Sequence, residues 1–451
     1  MSDFNLRDNL GDLTVKYVQL RPVNQNSDNK YSYKGGLPLI RFEINDSMAP
    51  LMLNGAQLRL TGKITTSKAD GTTQLVNTEN NYMNRFAGVS SVIDNVTISS
   101  RRLNSVIERV QNYNRLLPSI VSGMHGKEDM MGDLFHQGGS IFNNFIMRNA
   151  MTARDQNKGM DFSIPLYLGV LHSGNDINVS RTSGLSGLVI DVLLRSDANV
   201  VFGSDAASDS ATYNLSELQL TVPLLDVSGQ TAAMIEKAPP VMNFNTWSSI
   251  FTTINSSASV VSLNPGLSRV TSVLYNGLNS AELGDQNFDP GRLGNLGQLD
   301  NLRYTKNGIL FPLQYRIDTT DRENAGAGQG LATKETCKVR SVSVRNTIEG
   351  LLTSTFFNAR HNFLAFNDFD ASVVNVGQTA GQDQSGLNVD ESFGILYDKF
   401  GSGTNFNTST WAVELTVPDV KGQASQSQSL FVYFLNKNTI EYSANGVNII
   451  R

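Results

Sequence analysis

The stretch LNSVIERVQNYNRLLPSIVSG, residues 103–123, decides how the rest of the chain is interpreted. Its apolar side chains recur at the i, i+3, i+4 and i+7 spacing of one helical face. Ser105 and Glu108 form the S-x-x-E pattern of a capping box at its start, and Gly123 suits its end. The stretch therefore predicts one amphipathic helix. The polar residues of the opposite face are Glu108, Arg109, Gln111, Asn112, Asn114 and Arg115.

The segments around this helix are typical of β-strands, and so is most of the chain. Residues 57–61, Gln-Leu-Arg-Leu-Thr, alternate between polar and apolar side chains as a half-buried strand requires. Strands are predicted in the first half at 13–21, 37–45, 56–65, 91–99, 162–171, 187–196 and 217–227. In the second half they are predicted at 247–254, 269–277, 309–318, 338–346, 393–400, 410–420, 429–436 and 439–450, with a second helix at 350–366.

The two halves repeat one order of elements, in which strands are followed by a helix and then by further strands. The repeat distance of roughly 210 to 250 residues exceeds that of solenoids and propellers and indicates a duplicated domain. Short strands with one helix per half predict an all-β fold of two tandem antiparallel jelly-roll β-sandwiches, each with a short inserted helix. Pro239 and Pro240 interrupt regular structure between the halves. The predicted organisation is an N-terminal arm at 1–12, jelly roll 1 at 13–230, a linker at 231–243 and jelly roll 2 at 244–451.

The composition limits the classes of function. The 451 residues carry 36 Lys and Arg against 41 Asp and Glu, a net charge of −5, and only 17% of them are charged. No basic arm accompanies this balance, so direct sequence-specific binding of nucleic acid is not predicted. Cys337 is the only cysteine, which excludes an internal disulfide. Neither a signal peptide nor an apolar run of roughly 20 residues is seen, so folding in a reducing, intracellular compartment is expected.

Two clusters of imidazole and carboxylate side chains resemble, in composition alone, a metal site and an acid–base pair. Neither has the spacing of a known motif, and a solvated loop and a turn after a helix explain them as well. The segment AGAGQGL at 325–331 fits neither glycine-rich phosphate motif, and Cys337 lies at a strand entry. No catalytic, cofactor-binding or metal-ligating residue is therefore predicted. The cluster members are His125, Glu128, Asp129, Asp133 and His136 in one, and His361, Asp368 and Asp370 in the other.

Several segments of both halves carry a resemblance to a known family. In the first half, the stretch 80–123 places a strand with an I-V-I pattern before a segment with a Tyr-Asn pair. The strands FSIPLYLGVL, GLVIDVLLRSDANVV and YNLSELQLTVPLLDV follow in order, and the second half adds NGILFPLQYRID, WAVELTVPDV and SLFVYFLNKNTIEYSANGVNII. In order and spacing, these segments resemble the double jelly-roll major capsid proteins of virophages, polinton-like viruses and related eukaryotic DNA viruses, within the adenovirus and tailless-phage capsid lineage.

The resemblance implies a structural protein of the virion and not an enzyme. Members of this family form homotrimers, hexon-like capsomers of pseudo-hexameric outline, which tile an icosahedral capsid. The implied partners are further copies of the chain, neighbouring trimers, and penton and minor capsid proteins, with an internal membrane in some members. The chain would be synthesised and folded inside the host cell. The polar face of the predicted helix, with Arg109 and Arg115, is the predicted inter-subunit contact.

Two alternatives remain open at this point. One is a carbohydrate-binding or carbohydrate-cleaving β-sandwich, which would need an aromatic groove with converging carboxylates. Aromatic residues make up only 8% of the chain, and its two tryptophans are Trp247 and Trp411. The other is a fibre or receptor-binding protein, in which short repeats or a coiled-coil stalk would be expected, and the sequence has neither.

Overall fold

The computed structural model describes a chain built from short antiparallel β-strands. Its 3-10 helices are Gly55–Gln57, Gly88–Val92 and Asp197–Asn199, and residues 113–117 are α-helical. The residues described are 14–25, 29–34, 37–47, 51–52, 55–68, 81–83, 88–101, 105–117, 160–173, 176–180, 184–203, 212–226, 233, 241–254, 258–280, 283–284, 301–311, 317–318, 395–416, 428–443 and 446–450.

The first half forms one sandwich. Its strands are β1 Thr14–Leu20, β2 Lys30–Tyr31, β3 Leu39–Ile44, β4 Leu51–Met52, β5 Arg59–Ser67, β6 Asn81–Met83, β7 Ile93–Ser100, β8 Val106–Val110, β9 Met160–Pro165, β10 Ile177–Asn178, β11 Leu188–Leu194, β12 Val201–Gly203 and β13 Thr212–Asp226. One sheet has the order β10-β4-β13-β5-β9, with β1 and β2 also paired to β13. The facing sheet has the order β3-β11-β7-β8, and β12 pairs with β6.

The second half forms another sandwich. Its strands are β14 Val241–Ile254, β15 Ala258–Ser262, β16 Val270–Asn279, β17 Asn301–Lys306, β18 Ile309–Phe311, β19 Ile317–Asp318, β20 Ile395–Thr404, β21 Trp411–Thr416, β22 Gln428–Ser443 and β23 Gly446–Ile450. One sheet has the order β14-β22-β16-β20, with β23 on β22, and the other β15-β21-β17-β18, with β19 on β17. The predicted all-β double jelly roll is confirmed.

The sheet that contains β22 is buried on both faces. Every residue from Ser429 to Asn436 is buried, which explains the uninterrupted apolar run LFVYFL. Leu430, Val432 and Phe434 belong to the core of the second sandwich. Phe431, Tyr433 and Leu435 belong instead to a core that is continuous with the first sandwich. This sheet is therefore the layer through which the two sandwiches are joined.

A two-residue turn joins β17 to β18. Asn307 and Gly308 have φ values of 52° and 77°, and positive φ at both central residues is what a type I′ hairpin turn requires. The turn is held to the neighbouring loop, because Thr410 N–H donates to Asn307 Oδ1 at 2.9 Å. No atom lies within 4 Å of the place where a side chain on Gly308 would begin.

The predicted helix at 103–123 is wrong in its first part. Val106–Val110 is strand β8, which pairs with β7 so that Arg109 lies opposite Thr97. In the described part of the stretch, only residues 113–117 are helical, so the predicted Ser105–Glu108 capping box does not form. The β-branched Val106, Ile107 and Val110 favour a strand, and five residues are too few to separate the two periodicities.

Other predicted segments differ in detail. The polar stretch 277–308, in which no strand was predicted beyond residue 277, contains strand β17, because Asn301–Lys306 pairs with β21. The single strand predicted at 439–450 is divided between the end of β22 and β23. The predicted strand at 338–346 and the second helix at 350–366 lie outside the described residues. Strand β14 begins at Val241, inside the predicted linker, and the domain boundaries themselves stay a prediction.

Candidate functional site: the joint between the two sandwiches

One apolar core runs from the first sandwich into the second. It includes core residues of both sheets of the first sandwich, such as Leu60 and Ile98, together with Trp247, Phe431 and Tyr433 of the second. Burial of so much apolar surface favours contact between the two units but does not by itself set their angle. Directional hydrogen bonds across the same surface fix the angle between the two sandwiches.

The Glu108 side chain is the centre of these polar contacts. It is 2% exposed, and its carboxylate accepts three backbone N–H groups. Oε1 accepts from Gly169 at 2.9 Å and from Trp247 at 2.7 Å, while Oε2 accepts from Val170 at 2.9 Å. Gly169 and Val170 belong to the first sandwich and Trp247 lies on β14 of the second. One carboxylate therefore joins a turn of the first sandwich to a strand of the second.

Burial and hydrogen bonding act on the Glu108 carboxyl in opposite directions. Burial raises the pKa of this carboxyl and the three backbone N–H groups lower it; because burial has the larger effect, the pKa rises from the usual 4.5 to about 7. Its three hydrogen-bond partners are all neutral, and no ion pair of Glu108 occurs in the described part of the chain.

The residues after β8 extend the joint. Tyr433 Oη donates to the backbone oxygen of Asn112 at 2.8 Å, and Asn276 Nδ2 donates to that of Arg115 at 3.1 Å. On the other side, Tyr113 Oη accepts the N–H of Tyr167 at 2.7 Å. The positive φ of Asn112, 52°, turns the chain between β8 and the helix at 113–117. This short segment therefore contacts both sandwiches.

Arg109 and Arg115, the two predicted contact residues, lie in opposite environments. Arg109 is exposed on β8, which lies at one edge of the described strands of its sheet. Arg115 is fully buried, with its guanidinium 5.7 Å from the ring centroid of Phe431. The predicted position of Arg115 on an exposed polar face is therefore wrong, because the residues after Asn112 turn into the joint. A neighbouring subunit cannot reach Arg115 from the surface, whereas the contact role of Arg109 stays a prediction.

The two backbones approach each other closely at Gly169. A Cβ atom at this position would lie 2.4 Å from the backbone oxygen of Asn245 and 2.7 Å from Cα of Thr246. The Asn245 N–H also donates to Ser173 Oγ at 3.3 Å. Glycine is needed here for close approach, which fits the general use of glycine where two backbones meet.

The other candidate residues give no site in the described part of the chain. Trp247 and Trp411 are 1% and 0% exposed, so neither can form an exposed platform for a sugar ring. Both imidazole–carboxylate clusters, the AGAGQGL segment and Cys337 lie outside the described residues. Within the described residues, no group of three metal-ligating side chains occurs, and no helix has the length and apolarity needed to cross a membrane.

Comparison with known proteins identifies the architecture. No protein-family model matches the sequence, and no curated protein matches it. The Faustovirus major capsid protein matches in structure with a TM-score of 0.59 at 9% identity, over 96% of this chain and 91% of that one. The fold is that of viral double jelly-roll capsid proteins.

Two further structures share this double jelly roll. The PBCV-1 virus capsid matches with a TM-score of 0.55 at 10% identity, over 98% of this chain and 97% of that one. The Sputnik virophage structure matches with a TM-score of 0.55 at 12% identity, over 97% and 88%. The resemblance found in the sequence is confirmed at the level of the fold.

Proposed function

We propose that this chain is a major capsid protein. It forms homotrimers, capsomers of pseudo-hexameric outline, and these tile an icosahedral viral shell in which the chain has a structural role and no enzymatic one. Its partners are then copies of itself, neighbouring trimers, and penton and minor capsid proteins. It is synthesised in the host cell and ends in the virion.

The observation that carries this proposal is the length of the structural match. The match covers at least 96% of this chain and 88% of the named capsid structures. A match of this length extends over both sandwiches, and a tandem pair of jelly rolls is a more specific feature than a single one, which serves many functions. The named structures are a major capsid protein, a virus capsid and a virophage.

The joint between the sandwiches supports the same proposal. A trimer acquires a six-sided outline only if each chain presents two similar units at a fixed angle. The continuous core and the bonds of Glu108, Asn112 and Arg115 hold the two units in one arrangement. A flexible link between the sandwiches would leave that angle undefined.

Light scattering on the purified protein tests the proposal directly. Three chains of 49.2 kDa form a closed trimer of about 148 kDa. Negative-stain images should then show particles with a hexagonal outline. A protein that stays a 49.2 kDa monomer at all concentrations, or that binds a sugar in a glycan screen, would contradict the capsid role and favour the carbohydrate alternative.

Arg109 provides a test of assembly at the level of one residue. We expect Arg109→Glu to leave the melting temperature of the capsomer unchanged, because Arg109 is exposed, and to lower the yield of assembled shells. Arg269→Glu is the matched control, since Arg269 is an exposed arginine of the second sandwich. Equal shell yields for the wild type and Arg109→Glu would remove Arg109 from the inter-subunit contact.

A further inference from the structure

Arg195 is linked to the joint through the side chain of Asn112. This arginine directly follows β11, and its Nη1 atom donates to Asn112 Oδ1 at 3.0 Å. The same Nη1 also donates to the carboxylate of Asp94 on β7, so its N–H groups serve two acceptors. We propose that Arg195 is a positioning residue of the joint. Paired with Asp94 it holds Asn112 in place, and through Asn112 it controls hydrogen bonds to the second sandwich.

The first sandwich fixes both members of this ion pair. The Arg195 N–H donates to the backbone oxygen of Val92 at 2.8 Å, and the Arg195 backbone oxygen accepts the hydroxyl of Tyr213. The pairing of β7 with β11 passes over Asp94, which is the extra residue of a β-bulge, and a bulge re-aims the side chain that it carries. The Arg195 and Asp94 side chains are only 19% and 22% exposed, so salt screens their attraction less than that of a surface pair.

Asn112 has a backbone conformation that needs such support. Its φ is 52°, in the left-handed region that residues other than glycine seldom adopt. Asparagine is tolerated there because its short side chain forms hydrogen bonds, and in this structure Arg195 binds its oxygen. The Asn112 backbone oxygen accepts the N–H groups of Arg115 at 2.9 Å and Leu116 at 3.3 Å, and so starts the helix at 113–117. The conformation of Asn112 therefore sets the direction of this helix.

The start and the middle of the helix are bound by the second sandwich. Tyr433 Oη donates to the Asn112 oxygen at 2.8 Å, and Asn276 Nδ2 donates to the Arg115 oxygen at 3.1 Å. Such a short helix does not hold its direction by itself, because it has few internal hydrogen bonds. A shift of Asn112 therefore moves both acceptor oxygens away from the second sandwich. Arg195 acts on these bonds at a distance, since no hydrogen bond joins it to the second sandwich in the described part of the chain.

A double-mutant cycle between Arg195→Met and Tyr433→Phe tests this role by urea unfolding at one pH and one protein concentration. In the wild type, Tyr433→Phe should raise the unfolding constant about fivefold, which is the effect of one ordinary hydrogen bond. In the Arg195→Met background, the same change should raise it by less than about twofold, because the Asn112 oxygen is already displaced. A residue that stabilised only its own sandwich would give the same factor in both backgrounds.

Arg41→Met is the matched control. Arg41 also pairs with a carboxylate of the same sheet, because its Nε and Nη2 donate to Asp191 at 2.7 and 2.8 Å, but it has no bond to Asn112. In the Arg41→Met background, Tyr433→Phe should keep its effect of about fivefold.

Asn112→Gly separates the proposed route from a direct electrostatic effect of Arg195 on Tyr433. Glycine adopts positive φ freely and offers no side chain for Arg195 to bind. In the Asn112→Gly background, the effects of Arg195→Met and Tyr433→Phe should therefore be additive.

Two results would overturn the proposal. Equal effects of Tyr433→Phe in the wild type and in Arg195→Met would limit Arg195 to the first sandwich, and coupling that persists in Asn112→Gly would mean that it bypasses Asn112. Where Arg195→Met does not fold, the double variant Asp94→Asn with Arg195→Met replaces it, because it leaves no unpaired carboxylate, and the same reduction is expected. None of these results depends on the capsid role, because all of these residues lie within one chain.

Discussion

A single added methyl group at Gly169 tests whether the two sandwiches meet as described. The Cβ of an alanine there would lie 2.4 Å from the oxygen and 2.7 Å from the carbonyl carbon of Asn245. Both atoms are β14 backbone, so no side-chain rotation can make room. Restoring ordinary van der Waals separation requires about 1 Å of movement between the two units.

The expected cost of Gly169→Ala combines three effects. Overpacking of a close contact costs about 1–3 kcal/mol. At pH 8, where the Glu108 carboxyl is ionised, separation of the units also stretches its hydrogen bond from Trp247 N–H, and a hydrogen bond to a charged group contributes about 1.5–3 kcal/mol. Alanine also lowers the conformational entropy of the unfolded chain, and this stabilises the folded state by about 0.4–1 kcal/mol and offsets part of the cost. We therefore expect the free energy of unfolding to fall by about 2–5 kcal/mol.

Urea unfolding followed by tryptophan fluorescence measures this loss. In a Trp411→Phe background, Trp247 is the only tryptophan of the chain, and it lies in the joint between the sandwiches. Gly308→Ala is the control, because no atom lies within 4 Å of its new Cβ and only the strain of a φ of 77° remains, about 1–2 kcal/mol. The reasoning fails if Gly169→Ala unfolds at the midpoint of the parent protein, or if its loss equals that of Gly308→Ala with unchanged Trp247 emission.

Two further predictions concern buried charge. Arg115→Glu should prevent folding or lower the free energy of unfolding by more than about 3 kcal/mol, because it places an anion beside Phe431 in the core. Arg109→Glu should stay within about 0.5 kcal/mol of the wild type, because Arg109 is exposed. Urea unfolding followed by circular dichroism measures both variants. Burial lowers the pKa of His172 from 6.5 to about 4, so the contribution of His172 to stability is present above pH 6.5 and is lost as the pH falls toward 4. His172→Gln should therefore lose less stability than the wild type between pH 7 and pH 4.5, as measured by urea unfolding at both pH values. An equal loss in the two proteins would contradict this prediction.

The sequence predicts the strands best where burial leaves a local pattern. The run LFVYFL in β22 and the alternation at the start of β5 are properties of neighbouring residues, and both strands overlap the predicted ranges, although β5 begins only at Arg59 and β22 extends to Ser443. The double jelly roll could be predicted because many such patterns recur in the same order in both halves. The short strands β2, β4 and β10, of two residues each, have no pattern that a sequence could show.

The joint could not be predicted, for a physical reason that Glu108 illustrates. A carboxylate at a buried position violates the usual polar–apolar pattern, and its polarity was therefore taken as evidence for a wet helical face. The groups that compensate it lie 61, 62 and 139 residues further along the chain. The same holds for Arg115, whose partner ring, Phe431, belongs to the other sandwich. Polarity in a sequence reports the need for partners, and only the fold determines whether these are water or protein.

The joint has a second consequence, because β14 lies at one edge of its sheet as far as the described strands show. Outward-pointing amides of an edge strand can pair with another chain, and proteins cover or interrupt such edges to prevent aggregation. The amides of Asn245 and Trp247, two residues apart, are bound by Ser173 and Glu108 of the first sandwich. The contacts that fix the angle between the units therefore also cover part of this edge. Variants that loosen the joint should for this reason form aggregates through β14 before they lose their sandwiches, which light scattering would detect at urea concentrations below the fluorescence transition.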